Sequence, residues 1–293
     1  MKHYSALNWL IPLIILIATL TACVGLFSQG GDGPFTFTSL HGQTVQIYGK
    51  GLYRFDTVMS AATFKGVDVV TLILSIPLLI FAFTLYRRKS LRGGLLLISA
   101  IPYFLYIGAS MTFSAAFNRI FLLYTALFST SLFALIVALV TMDPETLVKH
   151  VLPGLPHRGI AIFLFVAGIG TFLIWLSELI DPLLTGATPA NLGPHTTMFT
   201  HGFDSAVITP AMILTGIYLL QRKPLGYLFA APLLVFCMQN GFTVIAATIS
   251  QRLAGIIFPV GVYIGMVGSW VLMGVFAIGL TIQYFHNISD VAR

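Results

Sequence analysis

Charge is what this chain lacks most. Of its 293 residues only 8% are Asp, Glu, Lys or Arg, about a third of the share usual in soluble domains, and the mean hydropathy is +0.95. So little charge cannot cover a water-facing surface, which excludes a soluble globular domain. Cysteine is nearly absent as well. Cys23 and Cys237 both lie inside apolar runs and make neither a disulfide framework nor a zinc set. GxSxG, GxxxxGK[ST], GxGxxG, CxxCH and HExxH patterns are missing too. No local signature therefore points to a nucleophile elbow, a phosphate-cradling loop, a dinucleotide turn, a haem attachment or a zinc-protease helix. Acids number nine. None falls at the middle of an apolar run, which speaks against the buried carboxylate relay that proton pumps carry.

The chain is rich in long apolar runs instead. Eight of them, at 8–27, 66–86, 91–111, 117–141, 159–180, 204–221, 224–249 and 259–285, come near or above the ~20 residues that cross a bilayer as a helix. The expected fold is an all-α integral membrane protein, an eight-helix transmembrane bundle forming one polytopic domain over 1–293. Leu20-Thr21-Ala22-Cys23 in the first run fits the cleavage pattern of a bacterial lipoprotein, with Cys23 as the acylated residue. Val24, Gly25, Leu26 and Phe27 prolong the apolar run past it. Cleavage and retention of this segment leave the same topology downstream.

Basic residues set the direction of threading. Leu85-Tyr86-Arg87-Arg88-Lys89-Ser90-Leu91-Arg92 packs four positive charges between the second and third runs. With both termini in the cytoplasm, that side collects Lys2, Arg87, Arg88, Lys89, Arg92, Lys149, Arg158, Arg222, Lys223 and Arg293. Only Lys50, Arg54, Lys65, Arg119 and Arg252 stay outside. Positive charge is retained on the cytoplasmic side during insertion, so the expectation is a multi-pass protein of the bacterial cytoplasmic (inner) membrane. The net charge of +6 is then topogenic, and the expected partner is the lipid bilayer, not nucleic acid.

Residues 28–65 form the longest polar stretch, an extracytoplasmic loop. Phe35-Thr36-Phe37-Thr38 and Thr44-Val45-Gln46-Ile47-Tyr48 alternate with period two, which predicts a small β hairpin in this first outer loop. Asp56-Thr57 offers a helix cap, and Val58 to Phe64 are apolar enough for a short helix lying on the outer leaflet. An internal repeat is visible as well. Gly66-Val67-Asp68 is matched by Gly202-Phe203-Asp204, Arg88-Lys89-Ser90-Leu91 by Arg222-Lys223-Pro224-Leu225, and Asn118-Arg119 by Gln251-Arg252, at separations of 136, 134 and 133 residues. The candidate halves, 1–141 and 159–285, would share orientation.

The remaining polar residues concentrate at the outer ends of the runs. Asp68 and Asp204 fall in the first turn of outward-starting helices, where a helix cap or an anion site is favoured. Glu178 and Asp181 sit at an outer carboxyl end, which the helix dipole makes unfavourable for anions, so water or a cation is needed nearby. Arg119 and Arg252 arrive at the same level. These residues, with Asn240 inside the seventh run, read either as a charge network closing the outer mouth or as a ligand site. His195, His201 and Asp204 form a candidate divalent-metal set whose bound water would serve as nucleophile; no other cofactor is expected. Gly261, Gly265, Gly268 and Ser269 carry small-xxx-small spacing, which allows close helix packing and also permits a homo-oligomer. Pro77, Pro102, Pro210 and Pro232 predict kinks.

Val45 to Thr57, together with Tyr86-Arg87-Arg88-Lys89-Ser90-Leu91-Arg92-Gly93, resembles a pattern carried by an uncharacterised family of bacterial polytopic membrane proteins. The resemblance implies a bacterial origin and brings no activity with it. Three functions remain open on the residues alone: a transporter-like or small-ligand-binding and sensing bundle with an outward-facing polar site, a membrane-embedded enzyme working at the outer leaflet through Glu178, Asp181, His195, His201 and Asp204, or an accessory subunit.

Overall fold

A computed structural model describes residues 5–290; Lys2 and Arg293 lie outside that range. Eight helices are long and apolar enough to cross a membrane: α1 Leu7–Phe27, α2 Val58–Arg87, α3 Leu91–Ser114, α4 Phe121–Thr141, α5 His157–Thr185, α6 Phe199–Leu220, α7 Pro224–Leu253 and α8 Val260–His286. The chain is a multi-pass membrane protein. A short helix, Pro144–Lys149, joins α4 to α5.

Successive helices run antiparallel, so the bundle has two ends. One carries the hairpin β1 Phe35–Thr38 and β2 Thr44–Ile47. The strands pair antiparallel with Phe35 opposite Ile47 and Thr38 opposite Thr44, as the alternation predicts. The other end carries Arg87, Arg88, Lys89, Arg222 and Lys223, and is called the basic end below. Here the tail after α8 is knitted to two loops: Ser90 Oγ and the Arg92 N–H both donate to Asp290 Oδ1 at 3.1 Å, the Arg92 guanidinium meets the Ile288 carbonyl, and Leu152 N–H donates to the Asn287 carbonyl at 2.8 Å.

Helix α2 departs from expectation at its start. Residues 58–64 do not form a separate helix on the membrane surface; they are the first turns of α2, whose cap is Thr57, accepting the Ser60 N–H at 3.0 Å. Nothing between Thr57 and the apolar run breaks the helix, so it continues. Asp68 and Asp204 consequently lie inside their helices and cap nothing. Asp56, just before the cap, is 2% exposed and its Oδ1 accepts the Ala116 N–H at 2.8 Å. It ties the start of α2 to the end of α3.

Helices α3 and α7 are the most buried and pack against each other at the centre. Around them stand α1, α2 and α4 on one side and α5, α6 and α8 on the other, with α2 also packed along α7. The two sides share several details at one spacing. Five-residue π-helical turns occur at Thr71–Ser75 and Asp204–Ile208, followed by Pro77 and Pro210, each at the start of a twelve-residue helical segment. The turns after those segments hold Lys89 and Arg222 in the left-handed region, φ 60° and 54°. All of these pairs are 133 residues apart. A π turn absorbs the hydrogen bond that a proline withholds from the turn before it, which is why both segments stay continuous where kinks are expected.

The two sides also differ in packing: α2 lies along α7, but α6 meets α3 only slightly. Helix α1 packs along α4, whereas α5 and α8 barely touch, and α8 is the least buried helix of all. It is held chiefly by α7, at a crossing where the Cα of Gly274 would lie 2.7 Å from a Cβ added to Gly241. This glycine pair, and not the small-xxx-small stripe, brings the helices together: a Cβ added at Gly261 or Gly265 would meet nothing within 4 Å among the described residues.

Candidate functional site

Besides Asp56, two carboxylates are buried near the hairpin end, Asp68 in the first half and Asp204 in the second, and the two are treated differently. Asp68 on α2 is 5% exposed, and the Tyr53 hydroxyl donates to its Oδ2 at 2.8 Å. Tyr53 arrives from the loop after β2, entering over Gly25 of α1; any side chain at position 25 would collide with both the carboxylate and the phenol. Burial, with Asp68 beside it, pushes the Tyr53 phenol well above its ordinary value, so it remains a donor. Lys65, one turn earlier on α2, adds positive charge near Asp68. Its ammonium donates to the Tyr48 hydroxyl at 2.6 Å and lies 4.7 Å from the centre of that ring. Asp68 is therefore closed off, with a donor and a cation both supplied by the chain.

Asp204 on α6 is 4% exposed, and its environment is built from aromatics. Trp175 of α5 donates its indole N–H to Asp204 Oδ2 at 3.0 Å, and the Tyr106 hydroxyl of α3 faces the same carboxylate. The other face opens on a cavity with about 10 Å3 of space for water, room for one molecule. Thr171, Ile208, Met212, Phe236, Cys237, Asn240, Trp270 and Met273 complete its lining, so all four helices of the second half contribute. The indoles of Trp175 and Trp270, with centroids 6.4 Å apart, bridge the loose α5–α8 seam.

One turn nearer the hairpin end stands a second polar level. His201 and Asp204 are three apart on α6, as Trp175 and Glu178 are on α5, so each helix presents a pair on one face. Because α6 begins at Phe199, His201 is a helical residue. It is 8% exposed, lies 4.2 Å centroid to centroid from Trp175, and pairs through Nε2 with Glu178 Oε2 at 3.1 Å. Asn191 of the following loop donates to the same oxygen at 3.2 Å. His201 and Asn191 supply the polar partners that a carboxylate at this unfavourable helix end demands. The result is a two-step polar ladder, Glu178 with His201 and then Trp175 with Asp204, leading from the surface to the cavity.

Other expected members stand elsewhere. Arg119 and Arg252 are exposed, and among the described residues the only ion pair is Glu178 with His201; the arginines do not close a network with the acids. Asp181 is exposed on the last turns of α5. The metal set of His195, His201 and Asp204 does not assemble: among the described residues no three His, Cys, Asp or Glu side chains stand close enough to hold a metal ion. His201 is turned to Glu178 and Asp204 to Trp175, which separates them. His195 lies in the α5–α6 loop, where burial lowers its imidazole below the ordinary value. A larger hollow of about 390 Å3, lined by Thr248, Ile249, Arg252, Leu253 and Tyr263, is an open and mostly apolar groove at the flank of α7 and α8. Its chemistry suits a lipid chain, not a polar reaction.

Tyr53, Tyr106, Thr171, Trp175 and Trp270 are absent from the sequence-derived set. Of these, Trp175 alone had a signal, its three-residue spacing from Glu178 on a helix end. No protein-family model, curated protein or solved structure matches this chain.

Proposed function

We propose that this chain is a transporter-like or sensing bundle of a bacterial cytoplasmic membrane, which binds a small ligand at the polar ladder of its second half. The observation that carries the reading is Asp204: a buried carboxylate held by Trp175 and Tyr106, facing a cavity, with no cation paired to it among the described residues. Ionisable groups inside a membrane are costly and are retained where they serve a function. The halves α1–α4 and α5–α8 descend, on this reading, from one four-helix unit; the π turns and left-handed turns 133 residues apart support that. At that register Asp204 corresponds to Thr71 and Asp68 to His201, so the site of the second half is not repeated residue for residue in the first.

The ligand reading is tested by a thermal-shift screen of small solutes on the purified protein. A solute that binds is expected to lose at least tenfold in apparent affinity, about 1.4 kcal/mol, in Asp204→Asn or Asn240→Ala, and to keep it in Arg119→Ala. A screen whose every hit binds both ladder variants as tightly as wild type removes the proposal.

The orientation proposed is hairpin end outside, both termini in the cytoplasm. It rests on the ten-to-five division of basic residues. In intact cells, a cysteine at Lys50 is expected to react with a membrane-impermeant maleimide, and one at Arg88 only after permeabilisation. The reverse pattern inverts the map.

A further inference from the structure

The surroundings of Asp68 and Asp204 differ in a way that points to a ligand class. Asp68 has Tyr53 on its carboxylate and Lys65 near it. Asp204 has only neutral partners and an open space. A carboxylate withdrawn from water needs compensation, and in the second half the chain does not supply it. We infer that the cavity beside Asp204 is a binding site for a monovalent cation about the size of a water molecule, sodium, potassium or ammonium, held by Asp204, Thr171 and Asn240. The inference rests on the placement of the ligand site proposed above and names what that site takes.

Charge, size and lining each narrow the occupant. Asp204 is the one carboxylate among the lining residues, so a single positive charge is balanced and a divalent ion would leave one charge over. About 10 Å3 of space admits one water-sized particle and rejects an organic amine with a tail. The oxygens are hard donors of the kind alkali ions prefer: one carboxylate, the hydroxyl of Thr171 and the amide of Asn240. Neither Thr171 nor Asn240 spends its side chain on a hydrogen bond to another described residue. One turn nearer the hairpin end stands Glu178, its side chain 28% exposed.

The test uses the full chain in detergent, with Trp9→Phe so that all tryptophan emission comes from Trp175 and Trp270. NaCl, KCl and NH4Cl are titrated against choline chloride at equal ionic strength, which removes the contribution of screening. One of the three small cations is expected to raise the thermal midpoint by several degrees and to shift the emission, both with saturation, while choline does neither. Asp204→Asn loses both responses, and Asp68→Asn keeps them. Should Asp204→Asn fail to fold, Thr171→Val and Asn240→Ala serve instead, each weakening the midpoint concentration at least tenfold. Equal responses to choline and to the small cations overturn the inference, as does an unchanged cation response in Asp204→Asn, or a midpoint that follows pH alone. A neutral or anionic solute that binds through Asp204 and Asn240 also overturns the cation class while sparing the site; loss of all ligand dependence on these residues removes the site itself.

Discussion

Replacing Gly241 by valine is expected to lower the thermal midpoint of the detergent-solubilised protein sharply, with about 3 kcal/mol lost, the upper part of the range for overpacked cores. A Cβ at 241 would stand 2.7 Å from Gly274 Cα, and one at 274 would stand 2.8 Å from Gly241 Cα, closer than carbon atoms pack. Helices in a bilayer gain nothing from hiding apolar surface from one another, so close backbone approach and van der Waals contact must hold them. Helix α8 has little else, because α5 barely meets it. Pushing α7 and α8 apart should therefore free α8, and protease sensitivity in the 254–262 connection should rise with the fall in midpoint. Gly265→Val is the control, since its Cβ would meet nothing. Equal destabilisation by both substitutions would place the contact elsewhere.

A second large effect is expected at Asp56, and its sign is opposite to that of most acids. Burial pushes this carboxyl from 3.8 up to about 7, against the pull of the Ala116 amide that it accepts. The folded protein holds the proton more tightly than the unfolded chain does. Stability from this group is thus fully present below pH ~4 and is lost as pH rises through about 7. Three pH units correspond to about 4 kcal/mol at most. Between pH 5 and pH 8 the midpoint of the wild type should fall, and Asp56→Asn, which keeps the acceptor for Ala116, should flatten that slope. The lowered imidazole of His195 works the other way, being stabilised as pH rises, so the difference between wild type and variant is the quantity to read. A variant with the wild-type slope would show that Asp56 does not carry it.

Where the sequence could be read, the reading rested on periodicity and charge. Alternation in Phe35-Thr36-Phe37-Thr38 and Thr44-Val45-Gln46-Ile47 announces the hairpin, and eight apolar runs announce the spans, because the bilayer imposes length and polarity directly on each segment. Helix starts were harder. Residues 58–64 read as a surface helix because a cap at Asp56-Thr57 precedes a short apolar segment, yet a helix ends only where its backbone bonds are interrupted, and nothing interrupts α2 there. The site was legible in part. Glu178, His201 and Asp204 show themselves by three-residue spacing at helix ends. Tyr53 and Tyr106 come from distant segments and carry no local mark, and Trp175 and Trp270 pass for packing in an apolar run. Arg119 and Arg252 arrive at the expected level but stay exposed, because equal depth does not fix the direction a side chain faces.

The fastening of the tail to the loops at the basic end has a mechanical consequence. Asp290 and Ile288 hold the α2–α3 turn, and Asn287 holds the α4–α5 connection, so strands of chain from both halves are pinned together at one face. The seam between α5 and α8 has no such rivet at the opposite face. Were these two helices to separate, the contacts at the tail would favour opening like the jaws of a clothes peg, wide at the hairpin and shut at the tail.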